Sequence, residues 1–142
     1  MMQTDSPIVI LDEAKAWDLL AGQQLGRLAV QSDLGIDVFP VNFTVDGESI
    51  IFRTADGAKL TDLHSHPKVS FEVDAWSEHS GFSVVAKGNA EPVTNLVDIA
   101  RIEALRLKPW VPTVKTTFVR IFVTEISARK FIFGPDPIAK YR

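Results

Sequence analysis

Along most of this chain apolar and polar positions alternate in short runs bounded by turn residues, the period of strands rather than helices. Leu25–Val30 reads as a short strand and Ile36–Val45 as a longer one, ended by Val45-Asp46-Gly47-Glu48. An Asp-Gly pair between two apolar, β-rich runs predicts a hairpin, with Ser49–Thr54 as its second strand. Pro67 opens another strand, in which Val69, Phe71 and Val73 alternate with Ser70, Glu72 and Asp74. The polar stretch Ser77–Gly81 is a loop, and Phe82–Ala90 follows as the next strand. Thr116–Phe133 holds one or two more strands, apolar on both parities from Phe118 to Val123 and therefore central.

Three segments carry the helical period instead. Asp12–Ala21 has Asp12 as N-cap, Glu13 at the positive end of the dipole, Trp17, Leu20 and Ala21 on one face, and Gly22 to close it. Lys59–His64 is a short helix carrying Leu60 and Leu63. Thr94–Leu107 is expected to be the longest, with Leu96, Ile99, Ala100 and Glu103 at helical spacing and Pro109 and Pro112 beyond it. About six strands joined by turns do not alternate as βαβ units. The pattern predicts a mainly β fold, an antiparallel barrel with helices at its ends.

The strand Ile36–Val45 has a break in its alternation. Ile36 and Val38 occupy one parity, and Phe39, Val41, Phe43 and Val45 the other. Pro40 lies at the switch and cannot donate a ladder hydrogen bond, so a bulge or an exposed edge is expected there.

Composition narrows the functional classes. A chain of 142 residues, 46% hydrophobic and 23% charged, fits one soluble globular domain over residues 1–142. A net charge of −3 with mixed signs argues against a nucleic-acid partner. The absence of cysteine excludes disulfides and thiolate chemistry and fits a reducing cytoplasm. No apolar run approaches the ~18–20 residues of a membrane span, and Met1–Ser6 lacks the features of a signal peptide. A cytoplasmic location without membrane contact is expected.

The segment Arg53–Leu60 is the most informative for chemistry. A strand ends on Arg53-Thr54, a small loop with Gly57 follows, and a helix opens with Lys59 near its first turn. Two cations, a hydroxyl and the N–H groups of a helix start suit a phosphate monoester. Read alone, the same residues describe two solvated charges beside a turn. His64-Ser65-His66 does not make a metal site, since residues two apart on a helix face different ways and no cysteine or third histidine is near. No serine lies in a nucleophile elbow, and the carboxylates, Glu72 and Asp74 among them, read as solvated surface. Trp110, bracketed by Pro109 and Pro112, is either a core plug or an interface anchor.

In their order these pieces resemble a known family. Leu25-Gly26-Arg27-Leu28-Ala29-Val30, Phe39-Pro40-Val41-Asn42-Phe43, and Phe52-Arg53-Thr54 with Gly57-Ala58-Lys59-Leu60 come first. His66–Asp74 and Gly81–Ala90 continue the match, which spans roughly residues 12–133. Together they are similar to the pyridoxamine 5′-phosphate oxidase-like, FMN-binding split barrels, in their general flavin-nucleotide-binding branch.

The resemblance implies a six-stranded antiparallel split β-barrel, paired as a homodimer with one FMN in each interface cleft and a small-molecule substrate. By position, it implies that Arg53, Thr54, Lys59 and Leu60 surround the phosphate and ribityl chain. Phe39, Pro40, Val41 and Asn42 would run along the flavin ring edge, and Ser83 and Val84 would lie near the flavin. Trp110 would reach the partner's cleft. One departure narrows the expectation: no tryptophan follows Trp110, whereas the family's vitamin-forming oxidases end in a segment with tryptophan and paired arginines. An oxidoreductase on another small molecule is expected, with no single catalytic side chain required. Two alternatives stay open: a related barrel that takes the deazaflavin F420, and a non-catalytic flavin-binding protein.

Overall fold

Seven antiparallel strands and three helices make up the computed structural model among its described residues, which are 6–55, 57–105, 107, 117–136 and 138. In chain order they are β1 (Ile8–Leu11), α1 (Glu13–Ala21), β2 (Leu25–Ser32), β3 (Gly35–Asp46), β4 (Ser49–Thr54) and α2 (Ala58–Ser65). Then come β5 (Lys68–Trp76), β6 (Ser80–Pro92), α3 (Leu96–Ala104) and β7 (Thr117–Ile132). The strands lie in the order β1-β7-β4-β3-β2-β5-β6, and β6 returns to β7, which closes six of them into a barrel.

β7 makes that closure possible. Its first part pairs with β4, Arg53↔Phe118 for example, its last part pairs with β1, Ile8↔Phe131, and β6 runs along its other side. The β6–β7 ladder shifts register between Lys87 and Gly88, where Thr124 is the extra residue and its hydroxyl donates to the Lys87 carbonyl at 3.2 Å. A side chain at Gly88 would run into the Phe122 backbone, so the strands meet there only with glycine.

Alternation sends Leu28, Val30, Val41, Phe43, Ile50, Phe52, Phe71, Val73, Val84, Val119 and Ile121 inward, and all are buried. Phe43 and Phe71 meet edge to face, with centroids 4.8 Å apart. α1 adds Ala16 and Leu20 to this core, and its N-cap Asp12 accepts from the Lys15 N–H at 2.8 Å. α3 covers the outside instead, where Ile102 packs on Ile51 and Phe118. This explains why β7 is apolar on both parities.

The six-stranded split barrel expected from the sequence is present, with three differences in detail. β1 adds a seventh strand on the end of β7. α3 is shorter than Thr94–Leu107, at nine residues the same length as α1, because Asn95 caps its start by accepting from the Val97 and Asp98 N–H groups. At Pro40 there is no bulge: β2 and β3 pair without a register shift from Leu25↔Asn42 to Ser32↔Gly35. The other alternative holds, because β4 pairs with β3 only from Phe43 onward, leaving one side of β3 open at Pro40. Ile36 and Val38 simply face outward.

Candidate functional site

β4 ends on Arg53 and Thr54, and α2 begins at Ala58, so Lys59 lies in its first turn. Gly57 joins them at φ +152°, a conformation that L side chains rarely adopt. Among the described residues no side chain caps the start of α2; Thr61 closes the first turn by donating its N–H to the Gly57 carbonyl at 3.1 Å. The helix start therefore presents its N–H groups with Lys59 in the first turn.

β3 stands against this segment. The Lys59 Nζ lies 4.4 Å from the centre of the Phe39 ring, which brings this ammonium onto β3. Asn42 and Arg53 each follow directly on the last pair of the β3–β4 ladder, Phe43↔Phe52, and Asn42 Nδ2 donates to the Gln24 carbonyl at 3.3 Å. The Arg53 guanidinium lies 4.9 Å from the centre of the Phe118 ring. Thr54 is buried and its hydroxyl donates to the Ala55 carbonyl at 3.2 Å. Leu60 is half-buried against the barrel core. Phe39 and Lys59 thus meet at the start of α2 beside Leu60, while Asn42, Arg53 and Thr54 lie at the end of the β3–β4 ladder that leads into it. Val41 belongs to the strand but points its side chain into the core, leaving only its backbone to offer.

Ser83 and Val84 lie elsewhere on the barrel. Ser83 pairs with Arg129 of β7, eleven residues along that strand from Phe118, the partner of Arg53. Around the other side, β3, β2 and β5 intervene. Within the single chain Ser83 does not reach Arg53. Val84 is fully buried, so its side chain packs in the core and only its backbone is available to a ligand. Trp110 lies outside the described residues.

Two ionic clusters were not legible as such in the sequence. Arg27 on β2 reaches Glu72 and Asp74 on β5, with its Nη1 3.1 Å from each carboxylate, so these acids are paired rather than simply solvated. Burial raises the Glu72 carboxyl above the ordinary carboxylate value. A hydrogen bond from Glu72 lowers Asp74, helped by the nearby Arg27. The second cluster holds α3 to the barrel. Asp46 accepts from Arg101 at 2.8 and 2.7 Å and from Arg120 at 2.9 Å, and Arg120 also donates to Ser49. These bonds, chiefly those from Arg101, hold the Asp46 carboxyl down at about 2 against the desolvation that opposes them. The first cluster depends on strand register and the second also on where α3 packs, neither of which the local pattern reveals.

His66 meets Asp33 at 3.1 Å, and His79 lies exposed beside Glu78. Among the described residues no three His, Cys, Asp or Glu side chains are placed to hold a metal ion. Among them, too, no helix is long and apolar enough to cross a membrane.

Comparison with known proteins gives one consistent result. A family model described as pyridoxamine 5′-phosphate oxidase matches residues 12–130. A solved structure from Corynebacterium glutamicum is 41% identical with a TM-score of 0.85, covering 94% of this chain and 100% of that one. An FAD binding protein from Mycobacterium smegmatis is 36% identical with a TM-score of 0.73, covering 88% of this chain and 99% of that one. An uncharacterised protein of Mycobacterium tuberculosis is 39% identical over 93 residues, 66% of this chain and 84% of the relative.

Proposed function

The chain belongs to the pyridoxamine 5′-phosphate oxidase family, and on that premise we propose that it binds a flavin nucleotide and acts as an oxidoreductase on a small molecule. The observation that carries this reading is the Arg53, Thr54 and Lys59 neighbourhood at the uncapped start of α2, against the open edge of β3 at Pro40. A phosphate monoester needs several donors and positive charge, and this neighbourhood offers both. The donor set fits FMN, whose phosphate Arg53 and Lys59 would hold. Backbone groups of Phe39–Asn42 would meet the ring edge. A bound flavin supplies the hydride or electron transfer, while the chain binds and orients it. The name of the Mycobacterium smegmatis relative also supports a flavin and adds FAD as a form to test.

The cofactor site in this reading is completed by a second copy. Ile36 and Val38 expose 75% and 62% of their surface on the outer face of β3, an apolar patch that a homodimer would cover. A second copy also offers a route by which Ser83 can approach the cofactor. A chain without cysteine suits the cytoplasm, where we place it.

Titration of the purified protein with FMN, FAD and F420, followed by absorbance, tests the reading. Uptake of FMN or FAD at one per chain is the expected outcome. Preference for F420 would move the protein to the deazaflavin class, and a colourless protein that takes up none of the three would overturn the proposal.

A further inference from the structure

A cavity of about 440 Å³ lies between α1, the β5–β6 hairpin and the end of β7. Leu11, Leu19, Trp76 and Phe82 give it a mainly apolar lining. Lys15 of α1 and Lys130 of β7 also line it, and no carboxylate does. None of its residues belongs to the Phe39–Asn42 or Arg53–Leu60 neighbourhood.

Trp76 is 76% exposed, although a large aromatic side chain gains by burial. Its backbone is fixed. The Ser77 N–H donates to the Ser80 carbonyl at 2.7 Å, and the Phe133 N–H donates to the His79 carbonyl at 2.9 Å. Gly81 sits so tightly that an added Cβ would come 3.1 Å from the Ala75 carbonyl oxygen and 3.2 Å from Trp76 Cβ. The hairpin thus presents the indole from a fixed backbone position at the cavity.

The charge of the cavity points to its ligand. Neither Lys15 nor Lys130 enters an ion pair among the described residues. Lys15 and Lys130 both line the cavity, and an anion held there would take charge-assisted hydrogen bonds from their ammonium groups. Flat apolar walls favour a flat apolar body. We propose that this cavity binds an aromatic carboxylate, its ring against Trp76 and Phe82 and its carboxylate between Lys15 and Lys130.

The test uses 1-naphthoate and its neutral counterpart 1-naphthylmethanol, titrated calorimetrically into the full-length protein as purified. Naphthoate is expected to bind at least about tenfold more tightly than the alcohol, the worth of a charge-assisted contact. Lys15→Gln with Lys130→Gln should bring the two ligands to within about twofold, and Trp76→Ala should weaken both by about fivefold or more. Circular dichroism checks that the variants fold, and flavin content, read by absorbance, should match that of the unsubstituted protein. Equal affinity for acid and alcohol, or a preference that survives the double lysine substitution, overturns the proposal. So does a Trp76→Ala variant that changes oligomeric state by sedimentation while binding naphthoate unchanged, since the cavity is then an interface between copies. These outcomes do not depend on whether the protein takes up a flavin.

Discussion

The ammonium of Lys59 lies 4.4 Å from the centre of the Phe39 ring, joining the first turn of α2 to the open edge of β3. A lysine so placed is oriented before any ligand arrives. The contact costs little to give up, because an exposed cation–π pair contributes about 0.5–1 kcal/mol. A phosphate that draws the ammonium toward itself would gain more than it displaces.

Lys59→Ala and Arg53→Ala should therefore each weaken flavin binding by about 1.5–3 kcal/mol, the usual worth of a hydrogen bond to a charged group. Phe39→Leu keeps both cations and should cost less, about 0.5–1 kcal/mol, through the lost orientation of Lys59. Flavin titration of the three variants checks the order. Unchanged affinity in both alanine variants would place the phosphate elsewhere.

The Asp46 cluster makes stability depend on acid. Its carboxyl is held down at about 2 from an ordinary value of 3.8, so the folded state gains from the ionised form. That gain is fully present above about pH 5 and is lost as pH falls through about 2. The shift corresponds to about 2.4 kcal/mol, which solvent screening reduces to about 1–2 kcal/mol. Asp46→Asn should lower stability by that amount at pH 7, and the gap from the unsubstituted protein should narrow steadily between pH 5 and pH 2. Urea denaturation at pH 7, 4 and 2.5 measures both. A gap that stays constant with pH would mean that the carboxylate's charge contributes nothing.

These two cases show what the local pattern can and cannot reveal. β4 was legible to its last residue, Ser49–Thr54, because an Asp-Gly turn fixes where a hairpin strand starts. β1 was not, because Ile8–Leu11 is only four residues and becomes a strand by pairing with β7, more than a hundred positions away. The order Arg53, Gly57, Lys59 was visible, but its meeting with Phe39 rests on how α2 folds back on β3. Val41 and Val84 were named with the site, although their parity sends both side chains into the core. The Arg27 and Asp46 clusters join residues on different elements, two strands in one case and two strands with α3 in the other, which only the tertiary fold brings together.

Gly26 shows how a motif residue can be a packing residue. An added Cβ there would lie 2.2 Å from Phe71 Cζ and 3.1 Å from the Glu72 carbonyl oxygen. Phe71 is buried against Phe43 and has no open space into which to swing. Gly26→Ala should destabilise the barrel by about 1–3 kcal/mol, the usual cost of overpacking a filled core. Thermal unfolding reads this directly, and a variant that melts at the unsubstituted temperature would show that the Phe71 ring can yield.

The outer face of β3 bears on whether two copies complete the site. Ile36 and Val38 share one parity of the strand and project from the barrel, with the fully exposed Leu34 at the adjoining turn. Isolated exposed apolar residues are common, but three within five positions on one hairpin form a patch. If that patch is the centre of a homodimer, charges placed there would be desolvated without partners on association. Ile36→Glu with Val38→Glu should cost roughly 2–4 kcal/mol of dimer stability, enough to shift micromolar samples toward monomer. Flavin uptake should fall in step with the dimer fraction, because a cleft that needs residues such as Ser83 from a second copy is incomplete in the monomer. Sedimentation velocity and absorbance on the same samples test both statements together. A variant that remains dimeric with full flavin would place the interface on another face. One that becomes monomeric yet keeps its flavin would show that the Arg53 neighbourhood holds the cofactor within a single chain.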